Sequence, residues 1–198
     1  MQKTIENSKI NKMVGMAVLV AAVIALQIVA TFVRFGPFVI TLALTPMIVG
    51  AAMYGAKAGA MFGAVFGVVV LSACVGGADG GGHILWLANP ALTAALCIIK
   101  GAAAGFAAGL VYSALAKKNI YAGVIAAAVV CPVVNTGIFI AAMALFFRET
   151  LAAWSGGTNL IYFALIGLTG VNFLVEVGSN LILSPTVVRI INAVKKTQ

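Results

Sequence analysis

The sequence predicts an all-α, polytopic membrane protein, about six transmembrane helices in a single domain spanning residues 1–198, and three observations point there. First, 63% of the residues are hydrophobic and only 8% charged, with a mean hydropathy of +1.16. A soluble domain is about 45–50% apolar and roughly a quarter charged, so one aqueous core cannot hide this much apolar surface. Second, the apolar residues fall in blocks, most of them near the roughly 20 residues that a bilayer-crossing helix needs. Third, the cations are sorted between the blocks. A chain so composed has no room for a soluble catalytic domain, which excludes a nucleotide-hydrolysing machine. The net charge of +8 is better explained by membrane edges than by nucleic acid.

Taken in order, the first block is Met13–Val33. It follows a short tail bearing Lys3, Lys9 and Lys12, and no small-residue cleavage site closes it, so no removed signal peptide is expected. Ala17, Ala21 and Ala25 recur at a spacing of four, on one helix face. The second block, Phe38–Met53, follows the connection Arg34–Pro37, and the third is Gly59–Val75. In the third and its lead-in, Gly55, Gly59, Gly63 and Gly67 make a ladder without side chains, against which another helix can approach closely. The fourth block, Pro90–Ala116, repeats the device with Gly101, Gly105 and Gly109. Packing inside the bundle is the plain reading of both ladders, and a sliding surface against a partner is the other.

Between the third and fourth blocks, Gly76–Asn89 reads GGADGGGHILWLAN. Its glycines permit unusual backbone geometry, while His83, Trp86 and Asn89 offer stacking and hydrogen bonds. It lacks the GxxxxGK[ST] pattern of a phosphate-cradling loop. The fifth block is Ile120–Phe147, and the sixth, Asn159–Leu183, follows a connection that contains Arg148 and Trp154. Tryptophans beside membrane blocks are ordinarily interface anchors.

Six crossings put both termini on one side. With that side cytoplasmic, Lys3, Lys9, Lys12, Lys57, Lys117, Lys118, Arg189, Lys195 and Lys196 lie inside, against Arg34 and Arg148 outside, as the positive-inside rule requires. Lys100 fits neither side. It sits about ten residues, or roughly 15 Å, into its helix, near the midplane. Glu176 also lies inside a block, flanked one turn away by Asn172 and Asn180, and Asn135 falls mid-block beside Thr136. Ionisable groups at such depths are expensive and mark function or pairing. Lys100 and Glu176 either form a structural ion pair or meet a ligand. For a ligand entering from outside, Arg34, His83, Trp86, Asn89, Lys100, Asn135, Trp154 and Asn172 are the candidate binding residues.

Cys74, Cys97 and Cys131 show no paired spacing and read as packing residues. His83 is the one histidine, so neither a metal site nor a cofactor is expected, and a membrane nucleophile would have no base at its own depth.

Several passages together resemble the substrate-binding S-component of energy-coupling factor (ECF) vitamin transporters: the alanine stripe of the first block, LTPMIVGAAMYGAKAGAMFGAVFG at Leu44–Gly67, KGAAAGFAAG at Lys100–Gly109 and NFLVEVGSNLILSPTVVRI at Asn172–Ile190. The resemblance implies a multi-pass protein of a prokaryotic-type cell membrane that binds a micronutrient in its outer half and topples to release it inside. It also implies three partner subunits: a transmembrane scaffold, docked on Ala17, Ala21 and Ala25, and two cytoplasmic ATPases. Lys100, Arg34 or Arg148 would neutralise a carboxylate, favouring an anionic vitamin such as pantothenate. The rival readings are a solitary or secondary transporter that needs no ATPase, and a structural membrane protein.

Overall fold

The computed structural model describes the backbone of residues 2–197 except 33, 36, 37 and 40, and the side chains of residues 10–32 and 41–194. Among the described residues the chain is mainly helical, with short turns and one minimal hairpin between the helices. Helix α1 is Gln2–Ala30, followed by the hairpin β1 (Arg34–Phe35) and β2 (Phe38–Val39) and by α2 (Leu44–Tyr54). Then come α3 (Ala56–Val75), α4 (Gly80–Ala88), α5 (Pro90–Leu115), α6 (Ile120–Phe146) and α7 (Arg148–Ser155). The last stretch is α8 (Leu160–Tyr162), a π-helical turn at Phe163–Leu168, and α9 (Gly170–Thr197). Five helices (α1, α3, α5, α6 and α9) are long and apolar enough to cross a membrane. A sixth crossing would be the pair Arg148–Ser155 and Leu160–Leu168, bent by 91°.

Four departures from the hydropathy blocks have local causes. The second block does not form one spanning helix: α2 has 11 residues, about 16 Å at 1.5 Å per residue. Pro46 lies in its first turn, where a missing N–H costs nothing. A helix running back to Phe38 would put that proline in its interior, at the expense of a backbone bond and a clash. The Gly76–Asn89 connection is largely helix, because Asp79 caps α4 by accepting from Gly82 N at 3.1 Å. The connection before the sixth block likewise contains α7, which ends where Gly156 turns left-handed at φ 56°. Finally, the sixth block is broken at Thr169, whose hydroxyl donates to the Ala164 carbonyl at 2.9 Å, five residues back.

Both glycine ladders are used for packing, and against each other. A methyl group at Gly59 would strike Gly105 O, one at Gly63 would strike Gly101 O, and one at Gly67 would strike Cys97 O. The antiparallel pair α3 and α5 is thus in backbone contact over three turns, gaining dispersion contact where lipid removes any hydrophobic drive. Gly55 stands apart from this ladder: with φ 91° and nothing near its missing Cβ, it forms the joint between α2 and α3.

Helix α2 runs alongside α9 in the same direction, Thr41 and Thr45 meeting Glu176 and Asn180 in turn. Asn11 near the start of α1 and Val194 near the end of α9 line one groove, so the two terminal helices meet at one end of the bundle. The cluster of Leu44, Met47, Phe62, Val124 and Val188 fills that half. The opposite, far end carries α4 and α7. The lateral surface is apolar, with Ile182 79% and Leu145 74% exposed, as lipid requires.

Candidate functional site

In the far half, seven segments converge on a cavity of about 60 Å³. Its polar lining is Gln27 from α1, Thr41 ahead of α2, Asp79 at the cap of α4, Lys100 from α5, Asn135 and Thr136 from α6, and Thr169, Asn172 and Glu176 at and below the break before α9. Val70, Phe139 and Leu168 supply the apolar part.

The break builds this wall. Gly170 follows Thr169, the π turn shifts the register, and α9 restarts with Asn172 and Glu176 one turn apart on the cavity side. Glu176 is 4% exposed, Asn135 4% and Gln27 3%. Backbone N–H of Thr41 donates to Glu176 Oε1 at 3.2 Å, while Glu176 Oε2 is buried with no partner among the described residues. The same holds for Gln27 Oε1, Asn135 Oδ1 and Asn172 Oδ1. A buried polar atom left without a hydrogen bond costs about 1–3 kcal/mol, so folded proteins carry few of them. Four around one cavity mark a place kept polar for something other than stability.

Lys100 and Glu176 line the same cavity but close no ion pair within 4 Å. Lys100 Nζ instead lies 5.4 Å from the centroid of the Phe139 ring, in a cation–π contact. Of the residues singled out from sequence, Lys100, Asn135 and Asn172 line the cavity. Four others are held elsewhere by local contacts. His83 Nδ1 bonds the Cys74 carbonyl at 2.8 Å, tying α4 to the end of α3. Asn89 caps α5, accepting from Leu92 N at 3.1 Å. Trp86 and Trp154 pack against separate apolar clusters. Arg148 edges a different, apolar pocket of about 300 Å³ beside α6, α7 and α8. The side chain of Arg34 lies outside the described residues.

The alanine stripe faces outward: Ala17, Ala21 and Ala25 are all exposed, on the face that α1 leaves uncovered. Sequence reading missed Gln27, Thr41, Asp79 and Thr169 and left Glu176 out of the ligand-binding set. Gln27 had a usable signal, being the one side chain between Met13 and Ala30 that carries a polar group. Thr169 had none, since a π turn leaves no mark in hydropathy.

A bundle of membrane-crossing helices that gathers uncompensated polar groups around a cavity in one half is a membrane protein that binds a small polar solute. A family model for the substrate-specific component of ECF transporters matches residues 11–188, and the chain belongs to that family. It is therefore a multi-pass plasma-membrane protein and the substrate-binding subunit of an ECF transporter, a transport component and not a catalytic one. Membership brings association with an ECF scaffold and ATPase subunits. No curated protein and no solved structure matches the chain.

Proposed function

We propose that this subunit takes up a water-soluble vitamin or related micronutrient, binding it in the cavity between Lys100, Asn135, Asn172 and Glu176. The four unpartnered buried polar atoms carry this reading, since a polar ligand would satisfy them. With both termini cytoplasmic, the cavity lies in the outer half and the cations Lys12, Lys57, Lys117, Lys118 and Arg189 lie at the inner end. Two ATPases act through the scaffold, which docks on Ala17, Ala21 and Ala25 and favours a toppled state that releases the ligand inside. Release is then a population shift that needs no chemistry on the substrate. Lys100 supports an acidic ligand such as pantothenate.

The test is a thermal-shift and binding screen of the purified full chain in nanodiscs against water-soluble vitamins. Stabilisation by one vitamin at micromolar concentration or below is the expected result. Indifference to the whole set would sink the vitamin reading and favour a structural role.

A further inference from the structure

The cavity's polar groups differ in how firmly their sign is fixed. Asn and Gln amides present either oxygen or nitrogen by flipping, and hydroxyls rotate. An ammonium only donates, and an ionised carboxylate only accepts. Among the described lining residues, three ionisable groups therefore weigh most in what fits: Lys100, Glu176 (an acceptor when ionised) and Asp79. Asp79 is engaged at the α4 cap, Oδ1 with Gly82 N at 3.1 Å and Oδ2 lying 4.0 Å from Cys74 Sγ. Glu176 has one oxygen fixed by Thr41 and the other unpartnered. Lys100 stands against the Phe139 ring, with no ion pair to another described residue. Among the described residues, a donor and an acceptor thus line one cavity without a direct contact between them.

We propose that Lys100 and Glu176 form a two-point clamp, so that the ligand carries an acidic group for Lys100 and, elsewhere on the molecule, an N–H donor for Glu176 Oε2. This rests on the vitamin-binding reading above and makes Glu176 a specificity-determining residue. A ligand with only an acidic group leaves a buried carboxylate unpaired, and a ligand with only donors leaves the ammonium unpaired. Each omission is heavily penalised in a water-poor site. Gln27, Asn135 and Asn172, able to flip, adapt to the atoms between the two ends.

The experiment is equilibrium binding to the full chain in nanodiscs with five probes: pantothenate and biotin (acid plus N–H), nicotinate (acid, no further donor), thiamine (donors, no acid) and riboflavin (neutral). The expected result is binding confined to the first two. For the ligand that binds, Glu176→Gln and Lys100→Met should each weaken affinity at least tenfold. Glu176→Gln keeps an acceptor for Thr41 N, and ligand-free melting temperatures near wild type show that each variant folds. If a variant fails to fold, the probe pattern on the unmodified protein decides. The clamp is overturned if nicotinate, thiamine or riboflavin binds as tightly as the other two. It is also overturned if Glu176→Gln leaves affinity for an acidic ligand unchanged or raises it, as release of Lys100 from a hidden ion pair would do. If none of the five probes binds, the clamp falls, while the vitamin reading falls only if the wider screen is also blank.

Discussion

The Thr45 hydroxyl donates to Asn180 Oδ1 at 2.6 Å, one helical turn from the bond between Thr41 N and Glu176 Oε1. The short helix α2 is thus tied to α9 by two polar contacts, one at the cavity and one just beyond it. Asn180 is 3% exposed and its Nδ2 is already without a partner. Thr45→Val removes the donor while keeping the shape, so Asn180 loses its remaining side-chain bond. The variant should be destabilised by about 1–3 kcal/mol, read from unfolding in mixed detergent micelles. Ligand affinity should change less than threefold.

Backbone contact along the glycine ladder leaves no space for a side chain. Gly63→Ala should destabilise the bundle by about 1–3 kcal/mol, the usual range for overpacking, because the added methyl meets Gly101 O. Gly178 on α9 has nothing within 4 Å of its missing Cβ. Gly178→Ala should therefore be neutral or stabilise by up to about 1 kcal/mol through helix propensity. Equal effects at the two positions would show that α3 and α5 do not touch as described.

Outward exposure of Ala17 and Ala21 separates docking from binding. Ala17→Trp or Ala21→Trp should cut vitamin uptake into proteoliposomes holding the whole transporter at least tenfold. Affinity of the isolated subunit should stay within twofold. Loss of affinity as well would place the stripe inside the folded bundle.

At the mouth of the cavity, Asp79 holds the first turn of α4. Asp79→Asn retains an oxygen for Gly82 N, whereas Asp79→Ala does not. Thermal unfolding should rank Asp79→Asn above Asp79→Ala, the alanine variant losing a further about 0.5–2 kcal/mol with the cap. Amide exchange within 80–88 should accelerate in the alanine variant alone.

Hydropathy alone revealed the membrane class and the near-exact extents of α3, α5 and α6, because each is a complete apolar block. The start of α5 was legible too, where Asn89 and Pro90 stand side by side as cap and first helical residue. Blocks report how greasy a stretch is, not whether the backbone crosses in one piece. Phe38–Met53 and Asn159–Leu183 were therefore read as single spans, although Pro46 suits only the first turn of the short helix in one and Thr169 divides the other. The same blindness affected the site. Lys100, Asn135 and Asn172 stood out as polar residues in apolar blocks, but Thr41 reaches the cavity through its backbone N–H, which no side-chain pattern reports. His83, Trp86, Asn89 and Trp154 had attractive chemistry at the expected end, and their local hydrogen bonds and packing take them out of the cavity.

The cavity volume has a kinetic meaning. About 60 Å³ admits a few water molecules, whereas small-molecule sites measure roughly 300–1,000 Å³. Binding of a vitamin there would require the walls to part. Association should therefore be paced by the protein: in stopped-flow mixing the observed rate should level off as ligand concentration rises, at the frequency with which the bundle opens by itself. A preference for the shut form would lower apparent affinity by the fraction of molecules open at any moment, so a substitution that props the walls apart would bind faster and hold tighter.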